Sequence, residues 1–384
     1  MLEKRTYFMP AMSMIGPGVL SDVGAEIKAM GSAKSLLVTD AVLNQLGVVK
    51  QLTDVLDAAG VEYALYDGVQ PNPTCANVNA GFKVLQDNGC DSIVSLGGGS
   101  PQDCAKAISI LATNGGDIRD YEGVFKSAKK GLPIVSINTT AGTASDVTIN
   151  YVVTDEERHV KMVMVDKNCL ATIAVNDPEL MTAKPAALTA ATGMDALTHA
   201  VEAYITKGAY RLTDALALES IKLISESLRT AVEQGDDIEA RSKMAYGSFV
   251  AGMSFSNCGL GVVHSLAHQL GGIYNLPHGV CNAVLLPHVI RYNAPFCGDK
   301  LRDVAKAMGV STDGMDLDAA NAAAIGAIEK LSADVGIPAG LAELGVSEEK
   351  IPTMADLALV DPCAPGNPRD MTREDAIEIY KAAM

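Results

Sequence analysis

Between Met244 and Ile290 the sequence has no Asp, Glu, Lys or Arg: 47 consecutive residues without a formal charge, in a chain whose composition is 20% charged. Other shortages bound the reading further. There is no tryptophan, and the eight cysteines form no Cys-x-x-Cys pair. Their spacing matches neither a disulfide framework nor a structural zinc site, so free thiols in a reducing compartment are expected. Basic charge is also short: 30 Lys and Arg against 46 Asp and Glu leave a net charge of −16. That argues against nucleic acid or an anionic membrane as partner, because both need a basic face. No clean run of about 18 apolar residues exists, since Gly, Ser, Asn, His or Pro interrupts the uncharged stretch every few residues. The opening MLEKRTYFMP lacks the apolar core of a secretion signal. The expectation is a cytoplasmic protein of two or three domains with ample core.

The uncharged stretch nevertheless holds four of the six histidines: His264, His268, His278 and His288. A buried segment has little use for imidazoles unless something satisfies them. A metal ion would, because neutral imidazole is the commonest metal ligand.

The first half alternates apolar runs with amphipathic stretches. Strands are expected over 35–40, 62–66, 92–96 and 133–138, and helices over 43–58, 77–86 and 101–111. This β-α-β order implies a parallel sheet with helices on both faces, with ligands at the carboxyl ends of the strands. One such end carries Gly97-Gly98-Gly99-Ser100. Ser100 is expected as a helix N-cap, with Asp103 completing a capping-box spacing. A helix N-terminus behind a glycine loop suits a phosphate; a tight turn without a ligand is the plain alternative. A second polar loop, Thr139-Thr140-Ala141-Gly142-Thr143-Ala144-Ser145, follows the next strand. Asp40 ends the first strong strand, either as an ordinary cap or as a reader of an adenosine ribose, which would favour NAD over NADP.

After Pro185 the strand pattern stops and Ala-rich amphipathic stretches take over. The expected division is an α/β Rossmann-like domain over 1–184 and an all-helical domain over 185–384. On the first helix of the second domain, Asp195 and His199 are four apart and share a face, with Glu202 about a turn further on. His264 and His268 share another helix face, and His278 is expected in a turn. Asp195, His199, His264 and His278 make one oxygen and three nitrogen ligands, a set for Fe(II) or Zn(II) rather than Ca or Mg. His268 would stand beside the ion for proton transfer. The plain alternative is a set of unrelated core histidines. His159 and His288 have no evident partner and receive no role.

The motifs GGGSPQD (97–103), TTAGTAS (139–145), TAATGMDALTHAVEAY (189–204), GLGVVHSLAHQLGGIYNLPHG (259–279) and NPR (367–369) stand in order along the chain. Together they resemble the iron-dependent (group III) alcohol dehydrogenase family over essentially the whole length. The resemblance implies an NAD-binding α/β domain, a helical iron-binding domain and an active site in the cleft between them. It places the metal ligands on Asp195, His199, His264 and His278, and the active-site histidine that does not bind metal on His268. It places cofactor contacts on Asp40, Asn72, Gly97, Gly98, Gly99, Ser100, Asp103, Thr139, Thr140, Thr143 and Lys161. Asn150, Phe255 and Cys363 would border the substrate pocket. Asp146 departs from the family pattern, which has glutamate there, and Asn138 stands where relatives also have proline.

The implied activity is NAD(H)-linked interconversion of short alcohols, diols or hydroxyaldehydes with their aldehydes. Scarce aromatics fit a substrate of roughly two to four carbons. Segments 148–157 and 252–257 lean toward the branch acting on 1,2-propanediol and lactaldehyde rather than 1,3-propanediol. Glycerol-dehydrogenase-type oxidoreductases and a non-catalytic nucleotide binder are the alternatives. A dehydroquinate-type lyase is disfavoured, because the uncharged stretch offers no Lys or Arg for a phosphate and carboxylate. Homo-oligomerisation is expected, with residues 5–9 as an edge strand pairing across a dimer.

Overall fold

The computed structural model describes residues 4–158 and 160–384, so His159 lies outside the described residues. The chain forms two compact units. One comprises the residues through Thr140 together with Ala144–Met181; the other comprises Ala141–Thr143 and Thr182–Met384.

Among the described residues the first unit has nine strands: β1 (Met12–Ile15), β2 (Lys34–Val38), β3 (Glu62–Tyr66), β4 (Ser92–Gly97), β5 (Gly123–Val124), β6 (Ile134–Asn138), β7 (Asn150–Asp155), β8 (Val160–Val165) and β9 (Ile173–Asn176). Six form an all-parallel sheet in the order β1-β9-β6-β4-β2-β3. Parallel neighbours need crossovers, here mostly helical, and both sheet faces are then covered. This explains why β4 and β6 are buried at every position. Successive side chains leave opposite faces of a strand. Leu36 and Ile93 accordingly join one core with Ile108, while Leu37 and Val94 join the other with Leu52 and Leu56.

From β2 the chain steps outward to β3, then returns to lay β4 on the other side of β2. The crevice at the carboxyl ends of β2 and β4 is thus a topological switch point, the usual ligand position in such sheets. It brings the loop after β2, with Asp40, beside the loop after β4, with Gly97–Ser100.

Several expectations need correcting. The helix foreseen over 43–58 is two helices, Ala41–Gln45 and Val48–Ala59, separated at Gly47 with φ 76. The N-cap of helix Gly99–Asn114 is Gly98, not Ser100, and no side chain caps it. Asp103 makes no capping box: it turns to Ser145 and Val152 instead. A three-stranded sheet, β5-β8-β7, was not foreseen. Residues 5–9 carry no strand within the single chain, where pairing across a dimer would need a second copy, and the edges of the large sheet are β1 and β3.

Asp146 is fully buried, and neither of its oxygens accepts a hydrogen bond from another residue. Burial pushes its pKa up to about 7, against the pull of Lys106. A carboxyl with a raised folded-state pKa favours the folded chain while protonated, and that stability is lost as pH rises from the unfolded value, about 4, to the folded one. Asp146→Asn should therefore match the parent near pH 4 and exceed it increasingly up to about pH 7, by at most about 4 kcal/mol. Melting temperatures of both proteins across that range check this; parallel curves would contradict it.

The second unit is helical. Its main helices are Ala186–Ile205, Arg211–Glu233, Ile238–Cys258, Val262–Tyr274, His278–Asn293 and Leu317–Asp334. His278, expected in a turn, is the first residue of a helix. Among the described residues no single helix is long and apolar enough to cross a membrane. The uncharged stretch instead spans three largely buried helices.

Candidate active site

In the first unit, the cofactor candidates assemble around the switch point. Gly97 has φ 154, which favours glycine, and a Cβ there would lie 2.5 Å from Pro101 Cγ. A Cβ on Gly98 would lie 3.0 Å from Thr140 Cγ2, so the glycine keeps the helix N-terminus close to the 139–140 loop. With no side-chain cap, the first turn of helix Gly99–Asn114 presents its N–H groups and positive dipole end to an anion. Thr139 Oγ1 is buried without a hydrogen-bond partner at the end of β6. An open helix start and an orphaned buried hydroxyl fit a dinucleotide pyrophosphate.

Three further candidates are linked by hydrogen bonds. Lys161 Nζ donates to Asn72 Oδ1 at 2.8 Å, and the Asn72 backbone N–H donates to Ser100 Oγ at 3.2 Å. Asp103 accepts from Ser145 Oγ at 2.6 Å and from the Val152 N–H at 3.0 Å. It braces the two loops rather than facing a ligand. Asp40 caps helix Ala41–Gln45 by accepting the Leu43 N–H at 2.9 Å. Asn150 sits at the start of β7, where its carbonyl accepts from the buried Lys106 Nζ at 2.7 Å. Thr143 belongs to the helical unit, where the neighbouring Gly142 carbonyl accepts from Ser248 Oγ at 3.1 Å.

All four metal candidates lie in the helical unit. Helix Ala186–Ile205 carries Asp195, His199 and Glu202 on one buried face. Helix Val262–Tyr274 carries His264 and His268. Donor atoms of Asp195, His199 and His264 lie within 4.8 Å of one another, and His278 Nε2 is 3.7 Å from Asp195 Oδ1. Gly279 permits this approach, since a Cβ there would lie 2.3 Å from the Ala191 carbonyl oxygen. Phe255 stacks on the His199 ring at 4.3 Å and closes that side. Burial lowers the pKa of His199, against the pull of Asp195, and lowers that of His264 well below the usual value. Burial thus favours the neutral form of each ring, the form with a lone pair to give.

The surroundings fit a divalent cation. Glu202, fully buried, accepts the Val263 N–H at 2.7 Å and meets His264 Nδ1 at 2.5 Å. Their shared proton, once on Nδ1, leaves Nε2 free to bind an ion. Asn282 Nδ2 stands 3.1 Å from both His264 Nε2 and His278 Nε2, and 2.7 Å from Asp195 Oδ1. Three donors thus converge on one small polar group. His199 Nδ1 is buried without a hydrogen-bond partner, an orphan that coordination of the ring or an ordered water would explain.

His268 stands beside this set, its ring centroid 5.4 Å from that of His278 and 6.0 Å from that of His264. Its Nδ1 meets Asp361 Oδ2 at 2.8 Å. Burial pushes the Asp361 carboxyl up, but the charge and hydrogen bond of His268 more than offset this, and the group sits below its ordinary value. Cys363 follows two residues later, its thiol pushed well up by burial.

Three residues gain a place that sequence reasoning did not give them. Glu202 was noted only as facing the same way as His199. Asn282 sits four residues after His278, a relation that becomes visible once a helix is recognised there. Asp361 is 93 residues from its partner, and no spacing signals it.

Comparison with known proteins agrees with this arrangement. Residues 10–178 match the family model "Iron-containing alcohol dehydrogenase", and residues 189–384 match "Fe-containing alcohol dehydrogenase family, C-terminal". The chain is 51% identical over 370 residues to lactaldehyde reductase of Escherichia coli (strain K12), covering 96% of each. It is 49% identical over 379 residues to 1,3-propanediol dehydrogenase of Citrobacter freundii, covering 98% of each. A crystal structure of 1,3-propanediol oxidoreductase superposes with a TM-score of 0.98 at 48% identity, covering 100% of both chains. A parallel sheet with an open helix start, a helical unit with converging Asp and His donors, and matches that span both halves have one common explanation: the chain belongs to the iron-containing alcohol dehydrogenase family.

Proposed function

We propose that the protein is an NAD(H)-linked, iron-dependent reductase of short hydroxyaldehydes, with lactaldehyde and 1,2-propanediol as its substrate pair. The observation that carries the reading is the convergence of Asp195, His264 and His278 on one point, with His199 alongside and Glu202 behind His264. When bound, NADH supplies the hydride and the divalent ion supplies Lewis acidity at the substrate oxygen. The protein's own residues do the rest. Asp195, His199, His264 and His278 would hold the ion. Gly97–Ser100, Thr139 and Thr140 would hold the pyrophosphate side of the cofactor, Asp40 and Asn72 its adenosine side, and Lys161, bonded to Asn72, would stand close to it. Family membership supports iron over zinc, and the donor set accepts either ion. Phe255 and Cys363 would border the substrate within the helical unit.

His268 moves the proton. Asp361 accepts Nδ1–H and so leaves Nε2 as the working nitrogen. Asp361→Asn should retain iron, slow turnover about tenfold or more and leave KM for NADH unchanged. Loss of iron, or a changed KM with normal kcat, would contradict a positioning role.

The substrate reading is tested by steady-state NADH oxidation with lactaldehyde, glycolaldehyde, propanal and 3-hydroxypropanal. The highest kcat/KM should fall on lactaldehyde. Preference for 3-hydroxypropanal would move the protein to the 1,3-propanediol branch, to which it is almost as similar. No turnover with any short aldehyde would end the reading.

A further inference from the structure

Beside the iron set lies a second group of donors with different chemistry. His268, Asp361 and Cys363 each offer one donor atom, and the three atoms lie within 4.8 Å of one another. Two contacts hold them together. Asp361 Oδ2 meets His268 Nδ1 at 2.8 Å, and Asp361 Oδ1 accepts the Cys363 backbone N–H at 2.9 Å. Asp361 is buried, and His268 and Cys363 are each partly exposed.

We propose that His268, Asp361 and Cys363 form a separate site for a thiophilic divalent ion such as Zn(II) or Cd(II). One sulfur, one nitrogen and one oxygen ligand, with a fourth position for water, suit a tetrahedral d¹⁰ ion. Sulfur favours these ions over Mg or Ca. The first set, Asp195 with three histidines, contains no sulfur, so the two sites differ in what they select. On binding, the Cys363 thiol gives its proton to the buffer, and no bond is oxidised or reduced. A consequence follows that rests on the role proposed for His268. An ion bound to that ring, or to the Asp361 that orients it, removes the group that moves the proton, and the reductase stops.

The test uses the iron-loaded protein, titrated anaerobically with cadmium chloride. The ultraviolet charge-transfer band of a cadmium thiolate should grow and saturate at one ion per chain. Reductase activity should fall in step, by about tenfold or more at saturation. Cadmium displacing iron from the first set produces no such band, since that set lacks sulfur. Cys258, the other partly exposed cysteine, is controlled with Cys258→Ser, which should keep the band. Cys363→Ser should lose it and need at least about tenfold more cadmium for half-inhibition, measured against its own cadmium-free rate. If that variant folds poorly, cadmium X-ray absorption on the parent protein should show one sulfur among nitrogen and oxygen neighbours. No band in the parent, or an unchanged band in Cys363→Ser, overturns the site. A band without loss of activity leaves the site standing and overturns the role of His268 instead.

Discussion

His264→Ala should yield a folded protein that binds NADH, retains almost no iron and reduces lactaldehyde at least about 10³-fold more slowly, since Lewis-acid stabilisation contributes several kcal/mol. The size of the effect follows from where His264 stands. Its Nε2 shares with Asp195 and His278 the point marked by Asn282 Nδ2. It also hydrogen-bonds the buried carboxylate of Glu202. Removing it takes away a ligand and leaves Glu202 buried without that partner. The glycine loop belongs to the other compact unit, so NADH binding followed by fluorescence serves as an internal control for folding. Iron is counted by elemental analysis of the anaerobically purified variant. Full activity together with absent metal would refute the assignment.

Glu202→Gln should lower iron affinity about 10- to 100-fold without changing the outer shape of the site. The substitution is nearly isosteric, and the Val263 N–H, donated at 2.7 Å, can still find a carbonyl oxygen. What changes is the group facing His264 Nδ1. A carboxylate accepts a proton held on Nδ1, whereas the amide NH2 of glutamine donates one. The imidazole is then driven into the tautomer with its hydrogen on Nε2, which points at the ion and cannot ligate it. Competition between the protein and a chelator for Fe(II), parent against variant, measures the change. Equal affinities would show that Glu202 is merely a buried hydrogen-bonding group. A protein that aggregates would point to a role in folding, so thermal melting is recorded alongside.

The fold class was largely legible because short strand-like runs alternate with amphipathic stretches in the first half, whereas long Ala-rich amphipathic stretches fill the second. The four metal candidates were also legible, because a histidine in an uncharged segment is a physical anomaly before any partner is known. What escaped has particular causes. The small sheet of Asn150–Asp155 and Val160–Val165 alternates buried with half-buried positions and includes Lys161, so it lacks the signal of a buried strand. His278 looked like a turn because Leu-Pro-His-Gly precedes few obvious helix formers. Proline nevertheless fits just before a first helical turn, and Gly279 is required by its distance to Ala191 rather than by a bend. Ser100 had the chemistry of an N-cap, yet the helix begins two residues earlier because Gly98 and Gly99 let it. Asp361 illustrates the limit of spacing arguments: its partner His268 is on another element, and only the folded chain brings them together.

The most direct test of the central claim is to strip the metal anaerobically with a chelator, confirm that NADH still binds, and follow NADH oxidation with lactaldehyde before and after refilling with Fe(II) or Zn(II). Activity should vanish with the metal and return with Fe(II). A protein free of detectable metal that turns over at the full rate, or one that binds NADH and iron yet reduces no short aldehyde, would contradict the account.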